Sequence, residues 1–488
     1  MDRVSKFNKP TVIYLLTMAV LFVVAIYNLF YHLGSFPFAS YDESRHGASA
    51  YEMLQSGNYL VNTYMHHTDY WNLKPPLSFW SIMLGYKIAG FNALGLRLAS
   101  AVCALLTIVM VAAFTLKKHG KLASAISALV LITCIQFLTN HSARTGDPDS
   151  LYVFLFTAAI LALLLSGKNN RWIYVSGLGF SLAFLTKSWH SFNIAAIIGI
   201  YLIFSGKYKS FSFKNWFLLA LSMFAPIMVW AVFRYQYDGL AFFKGMVTYD
   251  LLTRSTRTIE GHIGGWLYYA GIISHFFIYW LAVLYGLILV FLSKRFSFQS
   301  IRKLKPEERA YWIGMIAWII VPLIFFSLVK TKIRWYILPI YPALSIVIAI
   351  FSARLLQSGR WMLKIFLLAS VLLVSVSYEL KINNYLTHIH PSVQLELIQK
   401  LRGVDGIKGD SLFYYNRKKV WPQNAVLEGE LIRDLHANKG NFNEFLRTDK
   451  ALLLVQKKYY TPKLMKANRL KIMVSNPWGF IVYKYKRF

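Results

Sequence analysis

Runs of about twenty apolar residues recur along most of this chain, and a run of that length is what the hydrocarbon of a bilayer requires. Inside hydrocarbon the backbone has no water to bond, so each run must satisfy its own N–H and C=O groups as a helix. Spans are expected at 11–31, 93–115, 122–139, 150–166, 171–187, 190–205, 215–234, 266–292, 310–328, 335–353 and 361–379. Only 15% of the residues are charged, against about 25% in soluble proteins. The fold class that follows is an α-helical polytopic membrane protein with about eleven transmembrane helices. The first run follows the basic stretch MDRVSKFNKP and lacks a small-residue cleavage site, so it reads as a retained span.

The net charge of +32 would suggest nucleic acid in a soluble chain. Here Lys and Arg concentrate in short loops between spans, where cytoplasmic loops carry them and anionic lipids balance them. Lys117–Lys121, Lys168–Arg171, Lys207–Lys214, Lys294–Arg309 and Arg354–Arg360 are such loops, and nucleic acid is not an expected partner. All of them face the cytoplasm if Leu77–Ile88, short and preceded by Lys74-Pro75-Pro76, lies in the interface instead of crossing. Loops 32–92, 140–149, 188–189, 235–265 and 329–334 then lie outside. Residues 1–380 form the membrane domain. Residues 381–488 form a small outer α/β domain, with strand-like Leu412–Tyr415, Ala451–Gln456 and Phe480–Tyr485 after a helix-like Val393–Leu401. Cys103 and Cys134 both fall in apolar spans and offer neither a disulfide framework nor metal-ligand spacing.

Thirteen acidic residues precede position 380, and nine fall in the outer loops: Asp42, Glu43, Glu52, Asp69, Asp147, Asp149, Asp238, Asp250 and Glu260. Solvated loops carry acids for no special reason, but the asymmetry puts any carboxylate chemistry outside. The densest cluster is Asp42-Glu43-Ser44-Arg45-His46, opening a helix-like Glu43–Gln55. Its carboxylates can be a general base, metal ligands or helix caps. In Trp71-Asn72-Leu73-Lys74-Pro75-Pro76 the prolines fix the backbone, and Lys74 can hold a phosphate at the head-group plane or merely snorkel. A polar turn carries Arg144 and Asp147, and the loop Tyr235–Gly265 carries Arg254, Arg257, Glu260 and His262. Lys330, Lys332 and Arg334, beside Tyr336, place three cations on the outer side against the inside bias, which favours an anion site. Lys187, ending a span, is a weaker case of the same kind. A lone His262 reads more readily as a hydrogen-bonded loop residue than as a metal ligand.

Taken in order, Asp42-Glu43-Ser44-Arg45, Glu52–Tyr59, Lys74-Pro75-Pro76, Phe184–Lys187, Lys330-Thr331-Lys332 and Trp335–Pro339 resemble the C-type-fold membrane glycosyltransferases, in particular the protein mannosyltransferase and aminoarabinose (lipid A) transferase family. The resemblance covers residues 1–380, and more loosely the tail. It implies an inverting transfer of a sugar from a polyprenyl phosphate, such as undecaprenyl phosphate, to a lipid A-like glycolipid or a protein hydroxyl. The place implied is the periplasmic face of a bacterial inner membrane. It puts Asp42 on the family's catalytic aspartate, with Glu43 beside it, and Arg45 on a motif arginine. Lys74 falls on the lysine that contacts the lipid phosphate, Tyr336 near the same phosphate, and His262 where some members bind metal. Leu73 stands where members often have Glu and cannot ligate a metal, so no cofactor is expected with assurance and a divalent metal is in doubt. The competing readings are a flippase or transporter of a lipid-linked saccharide, for which internal repeats and mid-membrane charges are missing, and a non-catalytic assembly protein using the tail as partner module.

Overall fold

The computed structural model describes residues 9–167, 169–293, 305–415, 421–459, 462, 466 and 470–484. Helix α1 (Lys9–Phe30) leads to an outer segment holding α2 (Asp42–Ser56), a hairpin of β1 (Thr63–Tyr64) and β2 (His67–Thr68), and α3 (Leu77–Ala89). The apolar series continues with α4 (Ala93–His119), α5 (Lys121–Ile132), α6 (Ile135–Thr139), α7 (Asp149–Leu165), α8 (Arg171–Lys187), α9 (Phe192–Ser205) and α10 (Phe213–Asp238). After the short α11 (Ala241–Gly245), a π-helical stretch Met246–Thr253 and α12 (Arg254–Thr256) come α13 (Tyr268–Ser293), α14 (Pro306–Leu328), α15 (Ile340–Ser358) and α16 (Trp361–Thr387). Every expected span falls on one of these helices or on a helix pair. Among the described residues eight helical segments are long and apolar enough to cross a membrane; α5 and α7 are shorter apolar helices. The basic loop expected at 294–309 and the N-terminal basic stretch fall largely on residues outside those described.

Burial separates the inner helices from the lipid-facing ones. The apolar window of α15 is 72% buried and that of α10 only 17%, so α15 sits at the centre and α10 at the periphery. At 13 residues, α3 spans roughly 20 Å, too short for a bilayer core of about 30 Å, in keeping with the interfacial placement expected for Leu77–Ile88. It packs against α4 because Gly85 and Gly95 let the two backbones meet; a Cβ on Gly85 would run into the Gly95 carbonyl oxygen. The domain boundary expected at 380 falls inside α16, which continues to Thr387.

Beyond α16 the chain forms α17 (Val393–Gln399), α18 (Gln423–Arg433), α19 (Phe442–Arg447) and five strands: β3 (Ser411–Tyr415), β4 (His436–Asn438), β5 (Ala451–Gln456), β6 (Leu470–Ser475) and β7 (Gly479–Lys484). Strand order is β4-β3-β5-β7-β6, with β4, β3 and β5 parallel and β7 antiparallel to both neighbours. The apolar run ALLLVQ of β5 is buried through Val455, as a central strand covered on both faces requires. This α/β unit packs on α2. Leu395 and Leu427 join Ala48, Tyr51 and Met53 in one core, Met65 of the hairpin turn is buried among Leu397, Ile398 and Leu401, and the Tyr51 hydroxyl donates to Asp434 at 2.9 Å.

Candidate active site

The first acidic pair splits into two roles. Glu43 is 1% exposed and fully bonded: Arg97 donates from Nε at 2.6 Å and Nη2 at 2.9 Å, the Ala39 N–H at 2.7 Å and the Gly146 N–H at 2.9 Å. It has no oxygen left to take a proton, so the catalytic role expected for Glu43 is corrected to that of a tie between α2, α4 and the 142–148 turn. Nor is either acid a side-chain cap, since Tyr41 precedes the helix without one. Asp42, at the first turn of α2, instead lines a cavity with His46, Asn72 and Lys74 from the first outer segment.

The opposite wall comes from four separate stretches: Asp149, Lys187 and His190, Asp250 and Arg254, and Trp335 and Tyr336. Asp250 lies in the π-helical stretch, a rare geometry often found at functional sites. Its Oδ1 is 3.7 Å from Lys74 Nζ and 3.3 Å from Arg254 Nε, while Ser188 Oγ donates to Oδ2 at 2.9 Å. Asp149 and Lys187 form a second buried ion pair. Burial pulls the Lys74 ammonium below its usual pKa, with Asp250 opposing and Arg254 and Lys187 adding to the fall. Its pairing with Asp250 is loose at 3.7 Å, which leaves N–H donors for an anion. A second, more apolar cleft shares His190, Asp250, Arg254 and Tyr336 and continues between Trp189, Leu251, Phe325, Phe326 and Val329. The site is charged at one end and greasy at the other.

Asp42, His141 and Asp147 bring ligand atoms within 4.8 Å of one another. Asp147 is buried; among the described residues no donor meets its two oxygens in good hydrogen-bond geometry, and His141 Nδ1, at 3.2 Å, and Thr145 are its polar neighbours. Burial works against charge on both, but their mutual attraction prevails, holding Asp147 down at about 2 and His141 up at about 9. The His141 ring stacks on Trp335 at 3.6 Å. A carboxylate pair plus one imidazole, with orphaned buried oxygens, suits a divalent cation. The metal role expected for His262 does not meet this arrangement: His262 is half-buried in its loop, its carbonyl accepts the Lys332 N–H at 3.0 Å, and it joins no ligand cluster among the described residues. Leu73, where a family Glu was missed, is 2% exposed and packs with Phe184, Trp230 and Phe242.

Of the expected binding residues, Lys74, Arg254 and Tyr336 line the cavity, and Asp147 sits behind it beside His141. The others are placed elsewhere. Arg45 makes a twofold bond to Asp69 at 2.7 Å and lies between the Tyr64 and Trp71 rings; Asp69 in turn accepts the Trp71 and Asn72 N–H groups, so the pair shapes the loop that presents Lys74. Arg144 donates to the carbonyls of Asn28, Leu29 and Tyr31 and so closes the end of α1. Lys332 caps α14 through the Phe326 carbonyl at 2.9 Å and that of Ser327. Arg257, Lys330 and Arg334 are exposed and do not line the cavity. The cation cluster Lys330–Arg334 is thus corrected: the cations that line the cavity are Lys74, Lys187 and Arg254. The sequence reading named His46 only as part of the Asp42–His46 cluster, missed His141 and His190, and undervalued Asp149, Lys187 and Asp250. The only signal for the histidines was that His141 abuts the Arg144 turn and His190 follows Lys187 by three.

The family model of the dolichyl-phosphate-mannose-protein mannosyltransferases matches residues 73–230. An undecaprenyl phosphate-α-4-amino-4-deoxy-L-arabinose arabinosyl transferase of Pseudomonas savastanoi pv. phaseolicola is 24% identical over 65% of this chain and 58% of its own length. An uncharacterised protein of Aquifex aeolicus is 27% identical over 70% of this chain and 74% of its own. The crystal structure of ArnT from Cupriavidus metallidurans bound to undecaprenyl phosphate superposes with a TM-score of 0.70 at 14% identity, covering 97% of this chain and 98% of that one. The apo oligosaccharyltransferase of Archaeoglobus fulgidus superposes with a TM-score of 0.55 at 14% identity, covering 89% and 65%. In fold and in sequence pattern, this chain resembles the membrane glycosyltransferases of the protein mannosyltransferase and aminoarabinose transferase family.

Proposed function

We propose that this chain transfers a sugar from a polyprenyl phosphate to an acceptor hydroxyl or phosphate at the extracytoplasmic face of a bacterial plasma membrane, with inversion. The observation that carries the reading is the cavity in which Asp42 faces Lys74, Lys187 and Arg254 at the head of an apolar cleft. A donor of this class has the same two parts, a phosphate and a long apolar chain. The superposed ArnT structure is described as bound to undecaprenyl phosphate, which supports this donor class. The basic loops at the opposite end of the bundle support the orientation.

In a single displacement the acceptor oxygen bonds to the anomeric carbon as the bond to the phosphate oxygen breaks, and the electron pair leaves with the lipid phosphate. Lys74 and Arg254, already close to one anion in Asp250, stabilise that developing charge in a site shielded from water. Asp42 takes the acceptor proton or orients the acceptor. His46 stays uncharged near neutrality because burial lowers its pKa despite Asp42 and Asp147 nearby. A divalent cation held by Asp42, His141 and Asp147 would supply Lewis acidity toward the acceptor oxygen.

The test is transfer of radiolabelled sugar from a polyprenyl-phosphate donor to extracted glycolipids and proteins by the purified chain. Asp42→Asn is expected to slow transfer by about 10²–10⁴-fold, the usual contribution of a positioned base, with membrane insertion unchanged. Near-normal transfer by that variant overturns the assignment. The buried charges gather at one end of the bundle, which disfavours a transport path through its middle.

A further inference from the structure

A second constellation of acids lies away from the cavity, where the outer α/β unit meets α2. Glu52 is on α2, ten residues from Asp42 and so roughly 15 Å along the helix axis. Glu430 is on α18, and His66 is in the turn of the β1–β2 hairpin. Their ligand atoms all lie within 4.8 Å of one another. Glu430 is 0% exposed and Glu52 3% exposed; among the described residues no N–H or hydroxyl donates to either Glu430 oxygen or to Glu52 Oε1, and the two carboxyl groups lie within hydrogen-bonding reach of each other. The His66 N–H donates to Glu52 Oε2 at 3.1 Å.

Among the described residues no Lys or Arg acts on Glu430. The charged groups acting on Glu430 are Glu52 and Asp434, both acids, and together with burial they push its carboxyl well above the usual range. Two carboxylates brought together out of water need either a shared proton or a cation. The imidazole decides between them. His66 Nδ1 or Nε2 sits at the carboxylates, with the His436 ring beside it, tilted by 47° and 4.1 Å away between centroids. A neutral imidazole offers a lone pair on one ring nitrogen, which a carboxylate pair alone does not. Hard ions such as Ca²⁺ take six or more oxygens, whereas one imidazole and two carboxylates match a four-coordinate zinc-type site with one position open. Zinc bonds of about 2.0–2.1 Å put ligands roughly 3.3 Å apart, within reach of small rotations of three side chains already this close.

We propose that Glu52, Glu430 and His66 bind a divalent transition-metal ion of the zinc type, which clamps the C-terminal unit to the helix that carries Asp42. The ion would tie three elements, α2, the hairpin and α18, that also meet through apolar packing, the His66 N–H bond to Glu52 and the Tyr51–Asp434 bond.

The experiment uses the full chain in nanodiscs, stripped with chelator and titrated with Zn²⁺ alone. The background is His141→Ala/Asp147→Asn, which removes the other ligand cluster. Bound zinc is read by mass spectrometry, and domain docking by protease cleavage in the 388–392 linker. The background protein is expected to retain one zinc and to gain protection at the linker when zinc is added. Adding Glu52→Gln/Glu430→Gln abolishes both effects. Should those buried substitutions impair folding, His66→Ala on the turn is the second variant, expected to weaken zinc binding by at least about tenfold. Unchanged zinc content and linker protection in His66→Ala and in the Gln variants overturns the proposal and leaves a shared proton as the neutralising charge.

Discussion

Replacing Glu43 by Gln should unsettle the protein without touching the chemistry, the reverse of the outcome expected one residue earlier. Four donors converge on the carboxylate: two from Arg97 and the N–H groups of Ala39 and Gly146. An amide keeps one oxygen and turns an NH₂ group toward donors on the other side, so about two of the four lose their partner. Arg97, 2% exposed, then keeps its bonds to the carbonyls of Leu33, Phe36 and Pro37 but no counter-charge. Breaking a buried ion pair from one side costs about 3–5 kcal/mol. At about 1.4 kcal/mol per decade, the folded-to-unfolded ratio falls by about 10²- to a few thousand-fold. Unfolding of wild type and Glu43→Gln in mixed micelles with rising denaturing detergent measures this directly, and transfer per folded molecule is then assayed on the surviving fraction. A variant as stable as wild type to within about 0.5 kcal/mol, yet inactive, would show that Glu43 acts on substrate and that the bonding argument is wrong.

Two further predictions concern stability. Glu428 in α18 is buried, and burial pushes its carboxyl from 4.5 up to about 7, with Gln399 and Arg402 partly opposing. The folded state therefore binds the proton more tightly than the unfolded chain, so stability falls as pH rises from about 4.5 to 7 and stays at the lower level above; Glu428→Gln should stabilise the full chain at pH 8 by about 3 kcal/mol at most, read as a higher melting temperature, and leave it unchanged at pH 4. Gly85→Ala should force α3 off α4, at a cost of about 1–3 kcal/mol or more, because the new methyl meets a backbone carbonyl that cannot rotate away; normal thermal stability of that variant would refute the close approach.

The membrane part was legible because its information is one-dimensional: each expected span falls on a helix, and the short α3 was recognised by its length. The α/β unit was read less well. Strands β3, β5 and β7 are continuous apolar runs, whereas β4 is three residues and β6 (LKIMVS) mixes a lysine into a half-exposed strand, so neither stands out from loop sequence. At the site, Asp42 and Lys74 were found because short motifs carry them. Glu43, Arg45, Arg144 and Lys332 show the limit of that reading: a charge near a candidate motif in sequence can spend itself on backbone carbonyls or a distant partner. Asp149, Lys187 and Asp250 come together only when α7, α8 and the π-helical stretch are folded, and no spacing encodes that.

The way the C-terminal unit sits on α2 bears on how its role can be studied. Cutting the chain at the 388–392 linker would not yield a smaller version of the same machine. It would strip Leu395 and Leu427 from Ala48, Tyr51 and Met53, leave Met65 without its surroundings and open a greasy scar on the very rod whose first residue faces the cavity. Loss of activity after such an amputation would say little about partner recognition. Single polar changes along the seam, which leave the roof in place, are the cleaner instrument.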